Sequence, residues 1–206
     1  MKILLVHCHP VAESYVTAIA KRLAQHLRSE GHDVDHLDLY GEGFDPVMSA
    51  DERRAYNDLT AGEHPLPDHA RRLGDAEAIL FVYPTWWYGL PAMLKGWLDR
   101  VWAPGTAFEI SPDNGPIRPL LTQITHCAVV TTCGAPRWWS WMVGHPGRKT
   151  LLRGIRALFH KRCRTLFLAH YLMDISTPES RAAFLEKVER RVTAFIPKPP
   201  RAAPAE

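Results

Sequence analysis

Residues Tyr83 to Trp102, Tyr-Pro-Thr-Trp-Trp-Tyr-Gly-Leu-Pro-Ala-Met-Leu-Lys-Gly-Trp-Leu-Asp-Arg-Val-Trp, hold the densest set of groups in the chain able to recognise a flat ligand. Trp86, Trp87 and Tyr88 present aromatic faces just ahead of Gly89, in a stretch whose backbone amides can meet the polar edge of a heteroaromatic ring. The apolar run Ala78 to Tyr83 reads as a buried strand closed by Pro84. Pro91 stands where the first turn of a helix tolerates a missing N–H. The aromatics therefore fall at the carboxyl end of a strand, the edge at which open α/β sheets bind ligands. Core aromatics would be interleaved with aliphatics inside an element; clustering in a loop that ends at Gly89 points to a ligand instead.

A second group of polar residues follows the first apolar run. The turn from His9 and Pro10 to Ser14 and Tyr15 leads into a helix, whose orphan amides and dipole favour a phosphate. Ser14 would add its hydroxyl or cap the helix, and His9 would bond a phosphate oxygen or order the turn. The turn has no Gly-x-Gly-x-x-Gly, which argues against a nicotinamide-type Rossmann site. Cys8, Cys127, Cys133 and Cys163 form no Cys-x-x-Cys pair and read as reduced thiols. None of the 11 histidines has metal-site spacing on a plausible helix, so no metal is expected.

Short apolar strands and amphipathic helices must position these groups. Strands are expected near Lys2–His7, Val34–Leu39, Ala78–Tyr83, His126–Thr132 and Thr165–Ala169. Helices are expected from Ser14 to Gly31, as two short pieces after Ser49 and around Asp68–Leu73, over Pro91–Trp102 and Gly147–Phe159, and after Ser176-Thr177-Pro178-Glu179. Ala103–Pro119 reads as an ordered Pro- and Gly-rich loop. Alternation of this kind gives an α/β fold, a doubly wound parallel sheet with helices on both faces. The 206 residues, 46% of them hydrophobic, suit one domain over 1–196, with 197–206 a disordered Pro/Ala tail.

A balance of 25 basic against 22 acidic residues, net +3, excludes a dedicated nucleic-acid surface. The basic run from Arg148 to Arg164 reads as a solvated helix face rather than an anion site. The N-terminus lacks a signal-peptide pattern and no stretch reaches membrane-span length, so a soluble cytoplasmic protein without membrane insertion is expected.

The loop resembles the flavin-binding loop of the NAD(P)H:quinone reductase family, the DT-diaphorase-like branch of the flavodoxin fold. The resemblance rests on Pro84, Trp87, Gly89, Pro91-Ala92, Leu94-Lys95-Gly96-Trp97 and Asp99-Arg100-Val101, followed by Gly105 and Ala107-Phe108. His9-Pro10 with Ser14-Tyr15 is similar to the family's phosphate turn, and Thr131-Thr132-Cys133-Gly134 to its Thr-Thr-Gly-Gly loop, with His145 at a fitting distance downstream. These matches cover about the first three quarters of the chain.

The resemblance implies a five-stranded sheet of order 2-1-3-4-5, a flavin (FAD or FMN), NAD(P)H as co-substrate, a quinone or similar flat acceptor, ping-pong turnover and a homodimer. It places Pro84, Thr85, Trp86, Trp87 and Tyr88 on one side of the ring system and Thr131, Thr132, Cys133 and Gly134 on another, with His9, Ser14 and Tyr15 at the phosphate. His145 matches a family histidine beside the flavin, whereas Trp139 occupies the position of a family tyrosine. An indole cannot release a proton near neutral pH, so stacking on the substrate is the role expected of Trp139. Val16 stands where the family usually has Asn, and Cys133 where it has Gly. Two rival readings are a flavin-binding regulatory subunit of a potassium-efflux system and a flavodoxin-type electron shuttle.

Overall fold

The computed structural model describes residues 1–59, 64–111, 113 and 115–198; of the expected tail, 199–206 lie outside them. Five parallel strands form the central sheet: β1 (Lys2–His7), β2 (Asp33–Asp38), β3 (Ala78–Thr85), β6 (His126–Cys133) and β7 (Arg164–His170), in the order β2-β1-β3-β6-β7. Counting these five along the chain, that is the expected 2-1-3-4-5. A separate two-stranded antiparallel ribbon, β4 (Phe108–Glu109) with β5 (Arg118–Pro119), lies within the stretch expected to be an ordered loop.

Burial follows sheet position. The inner strands β3 and β6 are almost wholly buried, so they read as continuous apolar runs, whereas the edge strands are only partly buried, β2 at Val34 and Leu37 and β7 in alternation. Successive side chains point to opposite faces. Leu4, Val6, Phe81 and Tyr83 therefore pack on one side with Leu94, Trp97 and Trp102 of the α4 region (α4, Ala92–Val101). Ile3, Leu5, Leu80 and Val82 pack on the other with Ile19, Leu23 and Leu27 of α1 (Tyr15–Ser29) and Val188 and Val192 of α7 (Pro178–Phe195). Short helices α2 (Ala50–Ala55) and α3 (Pro67–Asp75) lie between β2 and β3 in the chain. No helix among the described residues is long and apolar enough to cross a membrane.

Two expectations are corrected. Pro84 does not close β3: it pairs with Thr132, and Thr85 with Cys133. The Val82 carbonyl accepts from Cys8, so Pro84, two residues on, turns its missing donor to the β1 side, where pairing stops at His7. The expected helix over 147–159 is instead α6 (Pro146–Lys149), a π turn (Thr150–Gly154) and a 3-10 turn (Ile155–Leu158), preceded by an unforeseen α5 (Arg137–Val143). Gly144 (φ 90°) and His145 (φ 48°) are both left-handed and separate α5 from α6. Among α5 residues only Ser140 is buried, so the helix carries no apolar periodicity by which it could be read.

Candidate active site

The carboxyl ends of β1, β3 and β6 open on three loops. Ser14 caps α1 by accepting from the Thr17 amide at 3.1 Å. The amides of Ala12 and Glu13 in the turn and of Tyr15 and Val16 in the first turn of the 15-residue helix have no acceptor among the described residues, so four donors are free around its positive end. The His9 Nδ1 accepts from the Val11 amide at 3.1 Å and thereby orders the turn. Burial lowers the His9 pKa, partly offset by its contact with the Val11 carbonyl. Behind the turn, the Thr17 hydroxyl donates to the Val11 carbonyl at 3.0 Å and accepts from Nε2 of the buried His7 at 3.1 Å. Tyr15 is committed elsewhere, its hydroxyl donating to the Arg181 carbonyl of α7 at 2.6 Å.

The aromatic loop follows β3. The Gly89 N–H donates to the Trp86 carbonyl at 3.0 Å and closes the loop as a tight turn in which Trp87 (φ 48°) and Tyr88 (φ 63°) both lie in the left-handed region. Two consecutive non-glycine residues there carry strain of order 1 kcal/mol or more each, the kind of backbone cost that collects at ligand sites. The amides of Trp87 and Tyr88 have no acceptor among the described residues. Trp87 is 95% exposed and Trp86 42%, so neither is a core residue. The Trp86 ring stands 6.0 Å from that of His9, which joins this loop to the α1 turn.

The third side is the end of β6. Thr85 and Thr131 share a hydroxyl–hydroxyl bond of 2.8 Å, and Thr132 and Cys133 are buried beside it. Burial pushes the Cys133 thiol up from its ordinary pKa, despite a hydrogen bond from Thr85, so it is a neutral thiol rather than a nucleophile. The cleft, about 200 Å³, is lined by Thr85, Trp87, Tyr88, Cys133, Gly134, Ala135 and Ser140. A Cβ on Gly134 would lie 2.6 Å from an Asp174 carboxylate oxygen, so the glycine lets that acidic loop close over the cleft's edge. Ala135, Ser140 and Asp174 were not foreseen. Ser140 sits on the unrecognised α5, and Asp174 comes from a loop forty residues beyond Gly134 with no motif of its own.

The structure brings Pro84, Thr85, Trp86, Trp87, Tyr88, Thr131, Thr132, Cys133 and Gly134 together, with His9 and Ser14 on the adjoining turn. Trp139 lies at the rim, its indole N–H donating to the Tyr88 hydroxyl at 2.8 Å. His145 does not line the cleft. It lines a neighbouring groove, with its ring 5.5 Å from that of Phe167 and 6.1 Å from that of Tyr171. Burial, then Arg148, Lys149 and Arg137, lower its pKa, so at neutral pH it is uncharged. A hollow of about 560 Å³ beside α3 is a surface charge cluster: Asp35 at 2.6 Å and Glu42 at 2.7 Å already neutralise its Arg72.

The family described as having a flavodoxin-like fold matches this chain over residues 1–195. The chain belongs to that family. Among its relatives, this flavodoxin-like chain is 34% identical over 108 residues to an Escherichia coli protein described as an uncharacterized NAD(P)H oxidoreductase, YcaK, covering 52% of this chain and 55% of that one. It is 26% identical over 216 residues to the NAD(P)H dehydrogenase [quinone] 1 of Rattus norvegicus, covering 92% and 75% respectively. The chain spans about half the length of the bacterial relatives it matches. Among solved structures, Smu.1420 from Streptococcus mutans superposes with a TM-score of 0.79 at 28% identity, covering 94% of this chain and all of the other.

Proposed function

We propose that this chain is a flavin-dependent NAD(P)H oxidoreductase that passes a hydride equivalent from NADH or NADPH to a quinone or another flat acceptor. The observation that carries the proposal is the pair Trp87 and Tyr88, held left-handed with free amides at the mouth of a cleft that adjoins the free amides of the α1 turn. Left-handed strain in an exposed aromatic loop does nothing for the core, and a flat ligand with a polar edge and a phosphate arm uses both sets of donors.

When bound, flavin supplies a centre that accepts and returns a hydride. The chain's own part is positional and electrostatic. Free amides at Trp87 and Tyr88 are preorganised donors for negative charge developing on the polar edge of the ring. The free amides of the α1 turn hold the phosphate, and Val16 contributes its amide although it lacks the polar side chain usual there. FMN and FAD share that phosphate. Trp87 and Trp139 shield the reacting face from water and offer flat surfaces to the substrates. His145, neutral and next to the cleft, is a hydrogen-bonding partner for a substrate rather than a fixed cation. The two substrates would use the cleft in turn, giving ping-pong turnover, in a soluble, cytoplasmic, homodimeric protein built on one domain over 1–196. Descriptions of relatives as NAD(P)H oxidoreductases and quinone dehydrogenases support this reading.

The test is an absorption spectrum of the purified protein, mass identification of the released cofactor, and anaerobic addition of NAD(P)H followed by a quinone. Bleaching by NAD(P)H without a partner and recovery with quinone are expected. Failure to bind flavin at high micromolar concentration sinks the proposal, and a flavoprotein that NAD(P)H cannot bleach alone is an electron shuttle.

A further inference from the structure

Next to the cleft, on the other side of α5, runs a groove of about 850 Å³ along the open edge of β7. Its volume falls in the range of small-molecule sites, about 300 to 1,000 Å³. Arg137 from α5, Arg148 from α6 and Arg191 from α7 line it, together with Trp138, Trp141 and Phe167. Among the described residues no carboxylate lines it. Among the described residues none of these three guanidiniums has a carboxylate within ion-pair distance. Arg148 instead lies over the Phe167 ring, 5.2 Å from its centroid. Trp138 and Trp141 are 64% and 76% exposed.

Three unpaired guanidiniums from three helices, converging among exposed indoles, form an arrangement for a ligand that is both planar and multiply anionic. We propose that this groove binds the phosphorylated adenosine half of the nicotinamide dinucleotide, with the purine against the indoles and phosphate oxygens on the arginines. The assignment rests on the function proposed above. Reach supports it: Gly134 of the cleft and Arg137 of the groove are three residues apart, at most about 11 Å along the chain. A dinucleotide can therefore bridge the two. A second copy of this chain fits the groove less well, because a two-fold contact centred on it would set its three arginines against those of the copy.

The experiment titrates the protein with 2′,5′-ADP, 5′-AMP and adenosine while following tryptophan fluorescence, repeated for Arg148→Ala and Arg191→Ala, with Arg54→Ala as a control that removes the same charge elsewhere. Saturable quenching by the phosphorylated ligands is expected, with adenosine at least 10-fold weaker. Each groove variant should lose about 10-fold in nucleotide affinity and keep its flavin affinity, while the control changes nothing. Preference for 2′,5′-ADP over 5′-AMP would assign the groove to the 2′-phosphate and to NADPH; equal affinity would assign it to the 5′-phosphate common to both cosubstrates. Nucleotide affinity unchanged in both groove variants overturns the proposal, as does quenching that tracks protein concentration alone, which would make the groove a contact between copies. Flavin titration is read separately, so loss of the groove proposal leaves the oxidoreductase reading standing, and absence of flavin with intact nucleotide binding does the reverse.

Discussion

The indole N–H of Trp139 donates to the phenolic oxygen of Tyr88 at 2.8 Å and ties α5 to the aromatic loop fifty-one residues earlier in the chain. Tyr88 is one of the two left-handed residues that leave amides free at the cleft, so the bond holds a strained backbone in place. Trp139 is thus a positioning residue for the loop at the rim of the cleft.

Trp139→Phe and Tyr88→Phe should each weaken flavin binding by about 1 kcal/mol, the net worth of one hydrogen bond, or about fivefold in Kd. Both remove the same bond. The double variant should then lose little more than either single one, and flavin fluorescence titrations of the four proteins measure the coupling directly. Fully additive losses would show that the bond does not hold the loop.

Trp87 gives the opposite contrast between stability and binding. With its side chain almost wholly exposed, Trp87→Ala should leave thermal stability within about 0.5 kcal/mol of the parent. Flavin affinity should fall by about 1 to 3 kcal/mol if the indole stacks on the ring system. Parent-like affinity for flavin in a folded variant would remove Trp87 from the site.

Gly96 in α4 tests the packing that carries the loop. A Cβ there would come within 2.2 Å of the Pro46 carbonyl oxygen and 2.4 Å of the Pro46 Cβ. Alanine would gain about 1 kcal/mol in helix propensity. It cannot be accommodated without moving backbone, so Gly96→Ala should destabilise by a net of about 2 kcal/mol. A denaturant midpoint equal to the parent's would show that the helix and the Pro46 segment separate readily.

Acid should weaken the fold. Burial lowers the His7 pKa from 6.5 to about 4, against the opposing pull of the Asp38 carboxylate. The unfolded chain therefore binds a proton between those values that the folded chain does not. Stability is fully present above pH 6.5 and is lost as pH falls toward 4, by about 3 kcal/mol from this group. Burial lowers the pKa of His36, His64, His126 and His170 as well, which steepens the same slope. Thermal melts between pH 7 and 4.5 should show a steep fall for the parent and a shallower one for His7→Asn, compared at equal ionic strength.

Periodicity and punctuation carry far in this chain because the sheet is parallel and covered on both faces. Ile3–Val6, Ala78–Tyr83 and Ala128–Val130 must be apolar on both sides, so each shows as an unbroken run, and the turn residues after each run mark the sheet's carboxyl edge. Ser14 and Gly31 bound α1 by capping chemistry that acts within a few residues. Local interactions of this range leave local traces. For the same reason the three loops that meet at the cleft were legible one by one.

Their neighbours were not. Whether Pro84 ends β3 depends on which side its missing donor faces, and that follows from where β1 stops pairing. Helix α5 has almost no buried face, so no apolar stripe records it, and its two sides serve a cleft and a groove that exist only once β6 and β7 lie together. His145 stands eleven residues beyond Gly134 in the chain, yet left-handed turns at Gly144 and His145 carry it to the groove instead of the cleft. The bond from Trp139 to Tyr88, the Asp174 carboxylate against Gly134 and the meeting of Arg137, Arg148 and Arg191 join segments set side by side only by the order of strands in the sheet. Such long-range contacts carry no periodic signal, because chain distance says nothing about which loops the strand order makes neighbours.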